Sequence, residues 1–178
     1  MAAETTLRDG TSVMIWSIVP SDARGLAERY LGLSEESRYH RFLSAVPSLS
    51  EPMLKVLIDE VDRVDHVGLV LVAFPQEGPE QGAGVARLIR LPEEPTLADV
   101  AVTVDDAWQG RGVASALLAE LISHRPVGVT GLSTVVAADN PASLAMLRRL
   151  GPTTVRTVGS GAYEVRVTLP PAPPAGPD

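Results

Sequence analysis

Between residues 97 and 123 the apolar pattern changes period, and the change falls across a glycine-bearing loop. Leu97–Val104 is an apolar run of strand length that contains one charge, Asp99. It leads through Asp105-Asp106-Ala107-Trp108 into Gln109-Gly110-Arg111-Gly112-Val113-Ala114. Val113, Ala114, Leu117, Leu118, Leu121 and Ile122 then recur at helical spacing, so a helix begins inside the hexamer. A strand feeding a helix in this way calls for layered α/β architecture. It also aims several unpaired backbone N–H groups at one point in front of the helix. Such a point suits a phosphate or pyrophosphate, and Gly110 and Gly112 admit it with no Cβ in the way. A Walker loop needs Gly-Lys-Ser/Thr, which is missing, and a dinucleotide fingerprint needs a third glycine where Ser115 stands. By itself, the Gly-Arg-Gly turn fits a tight strand-to-helix connection equally well.

The remaining segments complete a mixed sheet. Val13–Ile18 alternates as a strand after the Asp9-Gly10 turn. Pro20-Ser21-Asp22 opens a helix carrying Leu26, Ala27 and Tyr30, and Ser34 caps a second with Glu35 and Glu36 in its first turn. Ser50-Glu51-Pro52 starts a third, bearing Met53, Leu54, Leu57 and Ile58. Val67–Phe74 and Ala83–Leu91 read as strands around the loop Pro75–Gly82. Leu132–Val136 is another strand. Asn140 and Pro141 open a final helix that Gly151 ends. Thr154–Val158 and Ala162–Leu169 flank Gly159-Ser160-Gly161 as a hairpin. The expected fold is α/β: a mixed central β-sheet with helices on both faces and a C-terminal β-hairpin. Residues 1–169 form one domain in this reading. Pro170–Asp178, with five prolines in nine residues, forms a disordered tail.

Composition removes several function classes. There are no cysteines, so thiol nucleophiles and cysteine-held metals are excluded, and no metal site is expected. The net charge is −7 and the basic residues are scattered, which argues against nucleic acid as a partner. The longest apolar run, Val67–Phe74, falls well short of the roughly 20 residues that cross a bilayer. The polar start is no signal peptide. A cytoplasmic protein with no membrane partner, monomeric or homodimeric, is expected.

Gln109-Gly110-Arg111-Gly112-Val113-Ala114 resembles the Q/R-x-x-G-x-G/A signature of the GNAT N-acetyltransferase superfamily. The preceding strand and Asp139-Asn140-Pro141-Ala142-Ser143 are similar to that family's fourth strand and last helix. The resemblance implies the GNAT fold with acetyl-CoA as cosubstrate. It places the pyrophosphate on Gln109, Gly110, Arg111, Gly112, Val113 and Ala114. It places the pantetheine arm beside Val102 and Val104 and against Asn140 and Ser143. Leu7–Gly10, Ile18–Asp22, Leu33–Phe42 and Val64–Val67 are similar to the GNAT domain of bacterial protein lysine acetyltransferases. That implies a protein lysine as acceptor. Such enzymes often carry a further ligand-binding module, for which 178 residues leave no room. A small-molecule amine acetyltransferase, or a catalytically weak acyl-CoA-binding regulatory module, are the alternatives.

Transfer to an amine needs a group that takes its proton. Asp99, desolvated among Leu97, Val100 and Val102, suits that task, directly or through a water. The resembling enzymes carry glutamate there, one methylene longer. The competing reading has Asp99 pair with an arginine or cap the first residues of the strand. The family's usual tyrosine acid falls at Leu147, and Tyr163 reads as a sheet-packing residue. Glu93 and Glu94 read as a solvated turn, His66 as structural, and His40 and His124 as surface residues. Trp108 packs under the loop, and of Arg111, Arg148 and Arg149 the first is best placed for phosphate.

Overall fold

The computed structural model describes residues 2–58, 60–159 and 161–171. Strands β1 (Ala2–Thr6) and β2 (Ser12–Ser17) meet through the turn at Asp9 and Gly10. A 3-10 turn at Pro20–Asp22 leads to helices α1 (Ala23–Gly32), α2 (Glu35–Phe42) and α3 (Glu51–Ile58). Strands β3 (His66–Phe74), β4 (Gln81–Arg90) and β5 (Leu97–Val104) follow as an antiparallel meander. After a 3-10 turn at Asp106–Trp108 come α4 (Val113–Ser123), β6 (Gly131–Ala137), α5 (Pro141–Arg148), β7 (Thr153–Thr157) and β8 (Ala162–Thr168). The strands lie in one sheet, ordered β1-β2-β3-β4-β5-β6-β8-β7. β5 and β6 are the parallel neighbours in an otherwise antiparallel sheet.

Local chemistry sets the helix ends as the sequence implies. Ser34 Oγ accepts from the Ser37 amide at 3.2 Å, and Glu35 and Glu36 face the positive end of the α2 dipole. Asn140 Oδ1 accepts from the Ser143 amide at 3.0 Å, with Pro141 at the first position of α5. Helices cover both faces. Val113, Leu117, Leu118 and Leu121 of α4 bury against Leu69, Leu71, Leu88 and Ala98. On the other face Leu26, Leu54 and Leu57 pack over Ile18, Val70 and Val85.

The strand β1 is an addition to what the sequence announces. It pairs with β2 from Ala2↔Trp16 to Thr6↔Ser12, yet it is mostly exposed and carries no apolar alternation. The proline-rich tail begins against the domain, where Arg125 Nη2 donates to the Pro170 carbonyl at 2.7 Å. From residue 172 that tail lies outside the described residues.

For function the main feature is the β5–β6 junction. The two strands are in register at Leu97↔Gly131 and Ala98↔Leu132 and then diverge. Past this point the Thr134 hydroxyl reaches the Val100 carbonyl at 3.0 Å across the opening. The far wall is closed by the return of the chain after α5, where Gly151 lies flat on β8. A Cβ on Gly151 would overlap the Thr168 carbonyl oxygen, a backbone atom that cannot swing aside. Gly151→Ala is therefore expected to destabilise the domain by roughly 1–3 kcal/mol, read as a lowered midpoint in urea.

Candidate active site

The divergence of β5 and β6 opens a cleft holding two adjoining cavities, of about 530 and 430 Å³. Both are lined by Val102, His40, Arg41, Ser143 and Met146, so they meet along that wall. The larger continues over Asp99 and Ala101 of β5 and Ser133–Val136 of β6. The smaller runs under the glycine loop at the start of α4.

The loop is shaped to take an anion. Gly110 and Gly112 have φ of 75° and 101°, the left-handed region that side chains disfavour. A Cβ on Gly110 would meet nothing within 4 Å, so the backbone faces open space. Among the described residues, the amides of Gly110, Arg111 and Gly112 donate to no acceptor. The first-turn amides of α4 add to them, because a helix leaves these groups unpaired. Arg8 and Arg149 line the same cavity and supply positive charge. A phosphate or pyrophosphate group fits this donor set.

Asp99 stands just past the last β5–β6 pair, on the wall of the larger cavity. Burial pushes its carboxyl above the ordinary range, against opposing pulls from the Thr134 hydroxyl and the Arg41 charge. No ion pair holds it: among the described residues no arginine nitrogen comes within 4.0 Å. Its neighbours in sequence differ. Asp105 pairs with Arg29 at 2.8 Å. Asp106 accepts from the Ser34 amide (2.7 Å), Ser37 Oγ (2.6 Å) and Gln109 Nε2 (3.0 Å), tying α2 to the loop. Burial raises the Asp106 pKa, but the bonds from Ser37 and Ser34 outweigh it and hold the carboxyl below the usual range.

Residues 34–151 match the Acetyltransferase (GNAT) family. The chain belongs to the GNAT acetyltransferase family. It is 34% identical to Acetyltransferase Pat of Mycolicibacterium smegmatis over 166 residues, covering 93% of this chain and 48% of that protein. It is 39% identical to N-alpha-acetyltransferase RimI of Mycobacterium tuberculosis over 92 residues, covering 47% of this chain and 56% of that one. The chain thus spans about half the length of these relatives. The crystal structure of the GNAT domain of S. lividans PAT superposes with a TM-score of 0.81 at 30% identity, covering 94% of this chain and 97% of that one. A cAMP-binding acyltransferase from Mycobacterium smegmatis superposes with a TM-score of 0.63 at 30% identity, over 96% of this chain and 48% of that one.

In this member of the GNAT family the fold gathers most of the residues singled out from sequence. Val102, Val104, Gln109, Gly110, Gly112, Val113, Ala114, Asn140 and Ser143 line the smaller cavity, and Asp99 the larger. The Arg111 side chain lies elsewhere. Its guanidinium covers the buried Trp108 ring at 4.7 Å and pairs with Asp9 at 3.5 Å, outside the cavity lining. Arg8 takes the place expected for Arg111, with its side chain 3.5 Å from where a Gly112 Cβ would be. Leu147 is buried beside the larger cavity, and Tyr163 packs on the core. Glu94 is held by Arg166 at 2.8 and 3.0 Å. His66 is buried and accepts from Arg87 at 2.9 Å. His40, read from sequence as a surface residue, lines both cavities and bonds Asp139 at 3.2 Å. Among the described residues no cluster of three or more His, Asp or Glu is placed to hold a metal.

The raised Asp99 carboxyl also bears on stability. A carboxyl whose folded pKa lies above its unfolded one favours folding most below the unfolded pKa, and that contribution is lost as pH rises through the folded value. An asparagine side chain at this position would mimic the protonated form at every pH. Asp99→Asn is therefore expected to be more stable than the parent at pH 7, with the gap closing as pH falls toward about 4. Parallel urea melts across that range check this.

Proposed function

We propose that this acetyltransferase uses acetyl-CoA to acetylate the side-chain amine of a protein lysine, with Asp99 as the base. The observation that carries the reading is the place of Asp99. It is a desolvated carboxylate on the acceptor side of a cleft whose other cavity ends in a glycine-lined anion cradle. Likeness to Acetyltransferase Pat along 93% of the chain supports the lysine acceptor.

The residues would divide the work as follows. Amides of the Gln109–Ala114 loop, with Arg8 and Arg149, hold the pyrophosphate. The free edge of β5 at Val102 and Val104 pairs with the pantetheine arm as an added strand would. Asn140 uses its side-chain oxygen to cap α5, which leaves its amide N–H groups for the arm. Bound acetyl-CoA supplies the thioester acetyl group. An ammonium entering the larger cavity loses its proton to Asp99, directly or through a water that compensates for the short side chain. The apolar Leu147 leaves the departing thiolate to take its proton from solvent, which a thiolate tolerates as a fair leaving group. The acidic balance of the chain suits a cationic acceptor.

Asp99→Asn is expected to lower turnover by roughly 10²–10⁴ while acetyl-CoA affinity holds. Asp99→Glu retains activity. Coenzyme A release measured on lysine peptides and on small amines identifies the acceptor. An Asn variant as fast as the parent at neutral pH would show Asp99 to be structural.

Gly112→Val forces a branched residue into φ near 101°. The strain should distort the cradle and weaken acetyl-CoA binding by roughly tenfold or more. Calorimetric titration of the folded variant reads this directly.

A further inference from the structure

We propose that Arg41 is a carboxylate-binding site set where the two cavities meet, so that the enzyme recognises an acid group carried beside the transferred carbonyl. The inference rests on the transferase reading above and names a substrate feature of the same cleft. The acid group can be carried by the acyl chain of the donor or by the acceptor beside its amine.

Arg41 sits in the last turn of α2 and lines both cavities of the cleft. It also lines a third, small cavity between the helices α1–α3 and the sheet. It is half-buried, yet among the described residues its guanidinium makes no hydrogen bond and no ion pair. Its close contact is the face of the neighbouring Phe42 ring at 4.6 Å. Among the described residues Arg8 and Arg149 also line the smaller cavity without a side-chain partner, but they stand with the glycine loop, while the arginines packed around Arg41 on the side of the sheet and the larger cavity are matched. Arg29 pairs with Asp105 at 2.8 Å, and Arg87 donates to His66 and to the Leu57 carbonyl. Arg156 bonds Glu164 at 2.6 and 2.8 Å. The guanidinium therefore faces the cavities with its donors uncommitted to the protein, open to an acceptor brought by a ligand.

The charges facing Arg41 leave it in excess. Asp99 on β5 acts on it across the larger cavity but does not touch it. Arg87 on β4 adds a second positive charge, and its own pKa is lowered to about 9 by burial and by Arg41. His40 is beside it on α2, bonded to Asp139 at the start of α5. Tyr30 on α1 donates its hydroxyl to the Val46 carbonyl at 2.6 Å. Glu164 of β8 lines the larger cavity but is held by Arg156 and Arg166. Burial pulls the Arg41 pKa down and Asp99 pulls it back up, and a guanidinium remains charged at neutral pH in either case. The planar fork matches a carboxylate with two parallel bonds. Its place on the shared wall puts those bonds within reach of a group on either substrate.

The chemistry of transfer is unchanged by the acid group. The C–S bond of the thioester breaks and the C–N bond of the amide forms. The amine's proton leaves to Asp99 or water, and the thiolate takes one from solvent.

Two arms on the full chain distinguish the sources. In the first, succinyl-CoA and butyryl-CoA are titrated calorimetrically without acceptor. In the second, acetyl-CoA turnover is measured on lysine peptides that differ only in Glu or Gln beside the lysine. The proposal expects the acid member of at least one pair to be preferred by roughly tenfold. In Arg41→Met that preference ratio falls to about one, and in Arg41→Lys, which keeps charge but loses the fork, it is intermediate. Should Arg41→Met fail to fold, Arg41→Gln and Arg41→Lys carry the comparison. Charge-blind behaviour of the parent in both arms, or a preference that survives removal of the guanidinium, overturns the proposal. The binding arm needs no catalysis, so absence of turnover on every amine would sink the transferase reading while leaving Arg41 testable.

Discussion

The site exists because β5 and β6 run parallel for two residue pairs and then separate. A sheet interior normally commits every backbone N–H and C=O to its ladder. Here β5 is fully laddered to β4 on one side, and β6 to β8 on the other, while their facing edges beyond Ala98 and Leu132 are released. The free edges are not an aggregation hazard, since helices α2, α4 and α5 wall the gap. The result is a slot of strand-pairing groups in the middle of a sheet, with a half-buried carboxylate at its vertex and a helix N-terminus at its mouth. Each chemical element of the cleft is placed by that divergence.

The roof of the slot is fixed by polar contacts rather than by apolar packing. Helix α2 has no fully buried residue, so little hydrophobic burial holds it down. Asp106 anchors it instead, accepting from the Ser34 amide and from both Ser34 and Ser37 hydroxyls while also holding Gln109. His40 and Asp139 join the far end of α2 to the start of α5. These bonds join segments far apart in the chain, and they set Arg41 across the larger cavity from Asp99. Each of these exposed contacts is individually modest, but several converge on one carboxylate, which holds a short polar helix that has no core of its own.

The sequence made parts of this legible for physical reasons, and hid others for equally physical ones. Strand β5 spans Leu97–Val104 as its apolar run implies, and the helical stripe from Val113 is α4, because both elements bury a face and so carry a periodic signal. The loop between them was recognisable because left-handed φ values at Gly110 and Gly112 demand glycine. Strand β1 left no mark, being an edge held by backbone pairing with its side chains mostly in solvent. His40 and Arg41 were equally silent. In a helix as polar as Glu35–Phe42 nothing local shows which side looks into a cleft. Arg8 and Arg111 show the limit of reading a side chain from its place in a motif. Trp108 and Asp9 offer Arg111 a ring face and a carboxylate away from the cradle, and the Arg8 amide bonds the Arg111 carbonyl and brings Arg8 in.

The same contacts make the two halves of the cleft mechanically dependent. The loop whose amides are open to an anion is bonded through Gln109 and Asp106 to the helix that presents His40 and Arg41 to the larger cavity. An anion seated in the cradle would satisfy donors that the native chain leaves open, and would do so only in the folded state. Whatever restrains the loop at Gln109 therefore also restrains α2, because the Gln109 side-chain amide donates to Asp106 and to Ser37 Oγ while Asp106 accepts from Ser34 and Ser37. Ordering the cradle first would set the spacing between Arg41 and Asp99 before a second molecule enters the larger cavity, so that one end of the cleft prepares the geometry of the other.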